Sequence, residues 1–336
     1  MAQNHRSWIV FPGIPKPGKN SATKNASVVI LDMPAVIHMV KPKRATVFGE
    51  YIPNHILPFI KSQVNSITTR VDAVWDRYPE NSLKKQTRVK RIGTTRERRI
   101  RAADNIPIPK GKDWQSFLKV SENKEEMFKY MSEKLLSLTA SSDFHLLSTK
   151  VELVLSNKHV DLARISPSDH EEADTRMLLH LYDAVMDGHK TAYIRTVDSD
   201  VVVICIHLFH KLMHLELSEL WIGFGTGKSY KDIPIHVVSN ELGDKKCSAL
   251  PFFHAFSGCD VTSSMIGIGK KTAWNAWTSF EEVTETMITL TENPSELSED
   301  SKHMHLLERF TVLMYSKSCT AQTVNEARQS LFTHKF

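Results

Sequence analysis

Ser27-Val28-Val29-Ile30-Leu31-Asp32 is a compact aliphatic run, rich in β-branched residues, that stops on a carboxylate. The same form recurs twice: Val71–Trp75 ends at Asp76, and Ala192–Val197 ends at Asp198. Two further short apolar runs, Leu220–Phe224 and Ile235–Val238, read as strands as well. Between them lie stretches with apolar positions near a 3.6-residue period. One is Lys112–Leu138, with Phe117, Leu118, Met127, Phe128, Met131 and Leu135; another is Glu171–Met186. Short buried strands alternating with helices predict an α/β domain built on a mostly parallel sheet. In such sheets ligands sit beyond the carboxyl ends of the strands. One strand ending on Asp is an ordinary turn or helix cap. Three such endings place three carboxylates along one edge, which is a reason to look for a metal site.

Charge is distributed unevenly. The formal net charge of the 336 residues is only +5, but residues 61–112 hold 14 Lys/Arg against five Asp/Glu. The tightest part, Lys84–Arg101, has nine basic residues and only Glu97 opposing them, whereas 281–310 holds eight acids and two bases. A positive sector of this kind attracts polyanions; its plainer readings are a solvated helix face or a nuclear-import signal. The four cysteines show no C-x-x-C spacing, so neither a zinc knuckle nor a disulfide framework follows, and a reducing, intracellular compartment fits. Residues 1–26 read as an extended leader, broken by Pro12, Pro15 and Pro17, with no signal peptide evident. The most apolar run, Val201–Phe209, is too short to span a bilayer.

Three local clusters add to the strand-end acids. In Ser166–Arg176, a serine (Ser166 or Ser168) can cap a helix, and one first-turn acid suits the helix dipole. Asp169, Glu171, Glu172 and Asp174 together exceed that need and repel one another unless cations lie among them. In Thr196-Val197-Asp198-Ser199-Asp200, two carboxylates two residues apart can face one side of a strand-to-helix turn. In Phe256–Trp274, Gly258-Cys259-Asp260 is followed by Gly267-Ile268-Gly269 and then Lys270, Lys271 and Thr272. That second part reads as a helix–hairpin–helix: glycines admit a phosphate, the next helix's amides bind it, and lysines add charge. Carboxylates in this number suit phosphodiester hydrolysis. Two Mg²⁺ or Mn²⁺ ions roughly 4 Å apart hold the attacking water and the leaving oxygen, some acids acting through water.

In this order the motifs resemble the flap-endonuclease (XPG-type) family of structure-specific 5′ nucleases, which has a PIN-like fold. The likeness runs over about residues 27–277. It implies a PIN-like (Rossmann-like) domain over 27–280, with a basic gateway or arch region at about 77–150 and a helix–two-turn–helix at about 258–277. Residues 281–336 then form a helical C-terminal extension. The resemblance assigns Asp32, Asp76, Glu172, Asp174, Asp198, Asp200 and Asp260 to two metal ions, directly or through water. It makes Lys84 and Arg91 the basic pair on the scissile phosphate, with Lys85 and Arg88 beside them on the nucleic acid. His38 falls where relatives stack an aromatic on a base, although it reads equally well as a packing residue. Gly267, Gly269, Lys270, Lys271 and Thr272 fall on the duplex backbone. The implied activity is a metal-dependent nuclease on branched or duplex DNA, in the nucleus. The alternatives are a non-cutting nucleic-acid-binding protein of the same fold and a PIN-type ribonuclease.

The chain departs from the family in having Asp174 where Glu is commoner, and in an arch-length stretch that follows no arch pattern. Other motifs lead elsewhere and fail. His170-Glu171-Glu172-Ala173-Asp174 lacks the second histidine of a zincin. Gly223–Ser229 lacks the first glycine of a P-loop, because position 222 is Ile, and reads as a strand followed by a glycine turn. An Asp198-Ser199-Asp200 sugar-transferase reading leaves Asp32, Asp76 and Asp260 unexplained. His207, His210 and His214 read as one partly exposed helix face.

Overall fold

The computed structural model describes residues 25–78, 99–260 and 262–333. They form two compact units, one of residues 25–202 and Lys211–Ile235, the other of Val203–His210 and residues 236–333.

The first unit is organised by a seven-stranded sheet in the order β4-β3-β2-β1-β5-β6-β7. The strands are β1 Val28–Asp32, β2 Arg70–Val74, β3 His145–Lys150, β4 Leu153–Ser156, β5 Thr191–Thr196, β6 Glu219–Phe224 and β7 Lys231–Pro234. The five central strands run parallel, and only the edge strands β4 and β7 are antiparallel to their neighbours. Every residue of β1 and β2 is buried, as expected of central strands covered on both faces. The fold is therefore α/β with a mostly parallel, helix-flanked sheet, the architecture expected from the alternating pattern.

The chain runs β1, β2, β3 toward one edge and returns through β5 and β6 toward the other, so β1 and β5 flank the topological switch point. Leu31 pairs with Arg195 in register, and Asp32 pairs with Val74 on the other side. Three carboxylate-bearing strand ends are thus side by side: Asp32 closing β1, Asp76 just past β2, and Asp198 just past β5.

One face of the sheet is covered by helices Gly111–Lys119 and Ser121–Leu138 together with the helical turns of 48–62. Trp75 meets Phe128 at 4.8 Å between ring centroids, and Trp114 stacks on Phe117 at 5.4 Å. Each fully buried aliphatic or aromatic side chain contributes about 1.5–3 kcal/mol, so this layer fixes the ends of β1 and β2 firmly. Helix Ala173–Met186 presents Ala173, Met177, Leu181 and Ala184 inward, a helical stripe of buried residues.

Three expectations need correction. Ile235–Val238 is not a strand: Ile235 begins helix Ile235–Phe256, and β7 lies just before it. A four-residue run with three apolar positions satisfies either period, and here Ile235 and Val238, both buried, share one helical face. Lys112–Leu138 is two helices, broken at Val120 in extended geometry. β3 carries Ser148 and Thr149 inside, where an apolar pattern would not reveal a strand. They accept from Trp75 Nε1–H (3.1 Å) and the Trp75 backbone N–H (2.8 Å).

The second unit is helical. Helices Lys270–Ser279, Val283–Glu292, Lys302–Tyr315 and Val324–Thr333 follow Ile235–Phe256, which breaks at Gly243. Its aromatic core joins Phe253 to Trp277 (4.8 Å) and Trp274 (5.6 Å), and Phe256 to Phe310 (6.0 Å). Among the described residues no helix is long and apolar enough to cross a membrane.

Candidate metal centre

The carboxylate of Asp32 performs two local tasks. Its Oδ1 caps helix Met33–Met39 by accepting the Ala35 N–H at 3.0 Å, and its Oδ2 accepts the Thr196 hydroxyl at 2.7 Å. The same Thr196 oxygen accepts the Asp198 N–H at 3.0 Å, and Asp198 Oδ1 accepts the Asp200 N–H at 2.8 Å. A continuous hydrogen-bonded path therefore runs from the end of β1 to the start of helix Ser199–Met213. Thr196 at its centre is fully buried.

Asp76 ties the third strand end to the remaining acids. Its Oδ1 accepts the Ala173 N–H at 2.9 Å and its Oδ2 accepts the Tyr78 hydroxyl at 3.0 Å. Arg77 donates its backbone N–H to Glu171 O (2.7 Å) and Nη1–H to Asp169 O (2.9 Å). The segment carrying Glu172 and Asp174 is thereby stitched to the end of β2. This corrects the expected serine cap. Glu172 occupies the N-cap without capping the helix through its side chain, the first helical N–H is met by Asp76, and Ser166 Oγ accepts from Val154 N–H at 3.0 Å.

The electrostatics show how tightly these groups share space. Asp174 is pushed up to about 9, by burial first and then by Asp198, Asp32, Glu172 and Asp76. Asp32 is raised to about 7, mainly by burial, with Asp76 and Asp198 adding to it against the Thr196 and Ala35 bonds. Asp76 is raised as well by burial, with Glu172 adding; its two hydrogen bonds and Lys124 oppose the shift. No described lysine or arginine forms a salt bridge with Asp32, Asp76 or Asp174. Carboxylates held close, partly desolvated and unpaired prefer either a proton or a cation. The donor set is all oxygen, which fits a hard divalent ion such as Mg²⁺ or Mn²⁺.

Asp32, Asp76, Glu172, Asp174 and Asp198 thus come together in the first unit, and Asp200 follows Asp198 in the next turn. Asp260 belongs to the second unit, where it is exposed in a turn. His38 is exposed at the end of helix Met33–Met39. Its pKa is lowered by desolvation, with Lys124 and Lys41 adding and Asp76 opposing. Lys84, Lys85, Arg88 and Arg91 lie outside the described residues.

In the second unit, Gly258 adopts φ +98°, and a Cβ there would fall 2.7 Å from Ser264 Cβ, so only glycine fits. Gly269 caps helix Lys270–Ser279, and Gly267, Gly269, Lys271 and Thr272 are exposed. The Lys270 ammonium turns inward, donating to Ser257 Oγ at 2.9 Å and to His254 O, at the end of helix Ile235–Phe256. His207 Nδ1 lies 3.3 Å from Cys247 O, and His210 Nδ1 lies 3.2 Å from an Asp244 carboxylate oxygen.

The Gly223–Ser229 stretch is a β6–β7 hairpin turn, as read from its sequence. Gly223 is required because a Cβ would sit 1.8 Å from Tyr193 Oη.

Sequence reasoning singled out the acids and missed what holds them. Arg176 and Arg195 carried no motif signal because each acts through backbone carbonyls, and Tyr78 carried none although its partner Asp76 is only two residues away. Thr196 stood inside a quoted motif, yet its role as the link between Asp32 and Asp198 depends on β1–β5 pairing.

No protein-family model and no curated protein sequence matches the chain. Among solved structures it matches a bacteriophage T5 D15 flap endonuclease, crystallised as a pseudo-enzyme–product complex with DNA and metal ions. The identity is 12%, 86% of each chain is covered, and the TM-score is 0.39. That likeness is too distant to assign a role to any residue, and the functional reading rests on this chain's own side chains.

Proposed function

We propose that this chain is a Mg²⁺- or Mn²⁺-dependent phosphodiesterase that hydrolyses nucleic acid, with duplex or branched DNA as the favoured substrate. The observation that carries the reading is the convergence of Asp32, Asp76, Glu172, Asp174 and Asp198 at the carboxyl edge of a parallel sheet, with Asp32 and Asp174 driven far above ordinary carboxylate values. A bound divalent ion supplies Lewis acidity and an acidified water. The chain's own residues do the rest. Thr196 and the Ala35 N–H orient Asp32, and Ala173 N–H and Tyr78 orient Asp76. Glu172 is presented from the N-cap and Asp174 from the first turn of one helix. Fixed carboxylates require little reorganisation when charge develops on a phosphate.

Within this reading the nuclease domain spans residues 27–280 and 281–336 form an extension. Lys84, Arg91, Lys85 and Arg88 meet the phosphates near the cut, and the basic run they belong to also supports a nuclear address. Asp200 acts through water, while Gly267, Gly269, Lys271 and Thr272 of the second unit grip duplex backbone. His38, exposed near Asp76, stacks on a base.

The test is a cleavage assay comparing 5′-flap DNA, nicked duplex and single-stranded RNA, with Mg²⁺, with Mn²⁺ and in EDTA. Metal-dependent cleavage of flap or nicked DNA supports the proposal. Preference for RNA shifts it to a ribonuclease. Salt-dependent binding without cleavage, in either metal, refutes the catalytic part.

A further inference from the structure

Two arginines in the first unit have unusual surroundings. Arg176 lies two residues past Asp174 and is 1% exposed, and Arg195 lies at the end of β5 and is 5% exposed. A buried guanidinium ordinarily pairs with a carboxylate. Neither of these does, although carboxylates are close to both. Arg176 Nη1 donates to Val151 O at 2.7 Å and Trp75 O at 3.4 Å, while its Nε and Nη2 are buried with no partner among the described residues. Trp75 immediately precedes Asp76. Val151 sits in the β3–β4 turn at φ +54°, a left-handed conformation that a β-branched residue rarely adopts, and the bond to its carbonyl helps hold it there.

Arg195 Nη1 donates to Thr196 O (2.8 Å) and Gly223 O (2.7 Å), and Nη2 to Gly225 O (2.6 Å) and Met39 Sδ (2.8 Å). Its Cζ lies 5.2 Å from the Tyr230 ring centroid. One cation therefore spans β2 and the helix bearing Asp174. The other spans β5, the β6 end and the end of the helix that Asp32 caps. Burial lowers both pKa values, that of Arg176 to about 10, which leaves them charged at neutral pH; Asp76 acts electrostatically on Arg176 and Asp32 on Arg195.

We propose that Arg176 and Arg195 are positioning residues: standing positive charges, anchored on strand-end carbonyls, that let the carboxylates assemble before a divalent ion arrives while leaving the carboxylate oxygens open to it. Anchoring on carbonyls is what makes this possible. A direct ion pair would occupy the oxygens and compete with the metal, whereas a guanidinium held nearby on carbonyls offsets repulsion through the low-dielectric interior without taking a ligand atom.

The inference rests on the metal reading above, and one experiment separates the two. Thermal unfolding of the full chain is followed in EDTA and in saturating Mn²⁺ for the parent, Arg176→Met, Arg176→Lys, Arg195→Met and the double variant Asp76→Asn/Arg176→Met. In EDTA, Arg176→Met and Arg195→Met are expected to lose roughly 5 °C in Tm. Most of that loss is recovered in Mn²⁺, so the Mn²⁺-induced rise exceeds the parent's. Arg176→Lys keeps the charge and the parental rise. The double variant, with the neighbouring carboxylate neutralised, unfolds in EDTA at a higher temperature than Arg176→Met. It also recovers a folded protein if Arg176→Met alone fails to fold. Equal losses with and without Mn²⁺, or no recovery in the double variant, mean that the arginines only pack, and overturn the proposal. No Mn²⁺ effect on the parent would instead defeat the metal reading itself.

Discussion

The first unit buries two groups of acids, and they are treated in opposite ways. Toward the amino ends of the strands, Asp72 is fully buried in β2 and receives Arg70 through two bonds of 2.8 and 2.9 Å, with His180 Nδ1 at 2.7 Å. Arg70 also pairs with Asp183 at 2.8 Å and Asp187 at 3.1 Å, and Arg164 pairs with both of those acids. At the carboxyl ends, Asp32, Asp76 and Asp174 are bonded only by neutral donors or by none. Burial alone would raise Asp72 as well, yet Arg70 and His180 outweigh it and hold that carboxyl well below the usual range. At the other edge burial goes unopposed by any ion pair, and Asp32 and Asp174 rise. The first network locks helix Ala173–Met186 onto β2. The second group has charge to spare, which is the signature of a site and not of a scaffold.

Several substitutions would break or sharpen that contrast. Arg70→Met removes the partner of Asp72 and Asp183 and strands buried charge, so denaturant unfolding should show a loss of about 3–5 kcal/mol. A loss below about 1 kcal/mol would mean that the network is not the lock described. Asp174→Asn should do the reverse. Cleavage falls at least about 10²-fold, as it does in Asp76→Asn and Asp198→Asn, with modest loss of DNA binding. Meanwhile Tm in EDTA rises, because a repelled carboxylate has been neutralised. Full cleavage by these variants would contradict the site.

The two groups also have opposite pH limbs in metal-free protein. Folded-state values above the unfolded ones mean that Asp32 and Asp174 bind protons on folding. Their contribution to stability is therefore greatest at about pH 4 and declines as pH rises through about 7 and about 9. Asp72, depressed on folding, stabilises above its unfolded value near 3.8 and loses that contribution as pH falls below it. Tm measured in EDTA across pH 4–9 should decline toward the alkaline end and flatten when saturating Mn²⁺ is present. A metal-independent profile would count against the carboxylate cluster. The smallest effect is expected of Thr196→Val, which removes the hydroxyl between Asp32 and Asp198. Loss of such a supporting bond weakens Mn²⁺ binding by about 10-fold, read by calorimetry, with about 1 kcal/mol of stability.

How far the sequence reveals this contrast depends on which interactions are local. The carboxyl-edge acids were legible because each ends an aliphatic strand or opens a helix, and parallel topology puts such positions on one edge. The paired network was not, because Arg70, Asp72, His180 and Asp183 lie in segments whose pattern reads simply as strand and helix. Their pairing exists only once β2 and helix Ala173–Met186 pack together. β3 escaped notice because its buried Ser148 and Thr149 are satisfied by Trp75, and Ile235–Val238 was misread because so short a run fits either period.

The central claim is that the acids at the carboxyl edge form a divalent-cation site, and a Mn²⁺ titration tests it most directly. Calorimetry or electron paramagnetic resonance on the parent, Asp174→Asn and Asp198→Asn should show saturable binding in the parent that is lost or weakened at least about 10-fold in each variant. Absence of saturable binding in the parent, or equal binding in all three proteins, would contradict it.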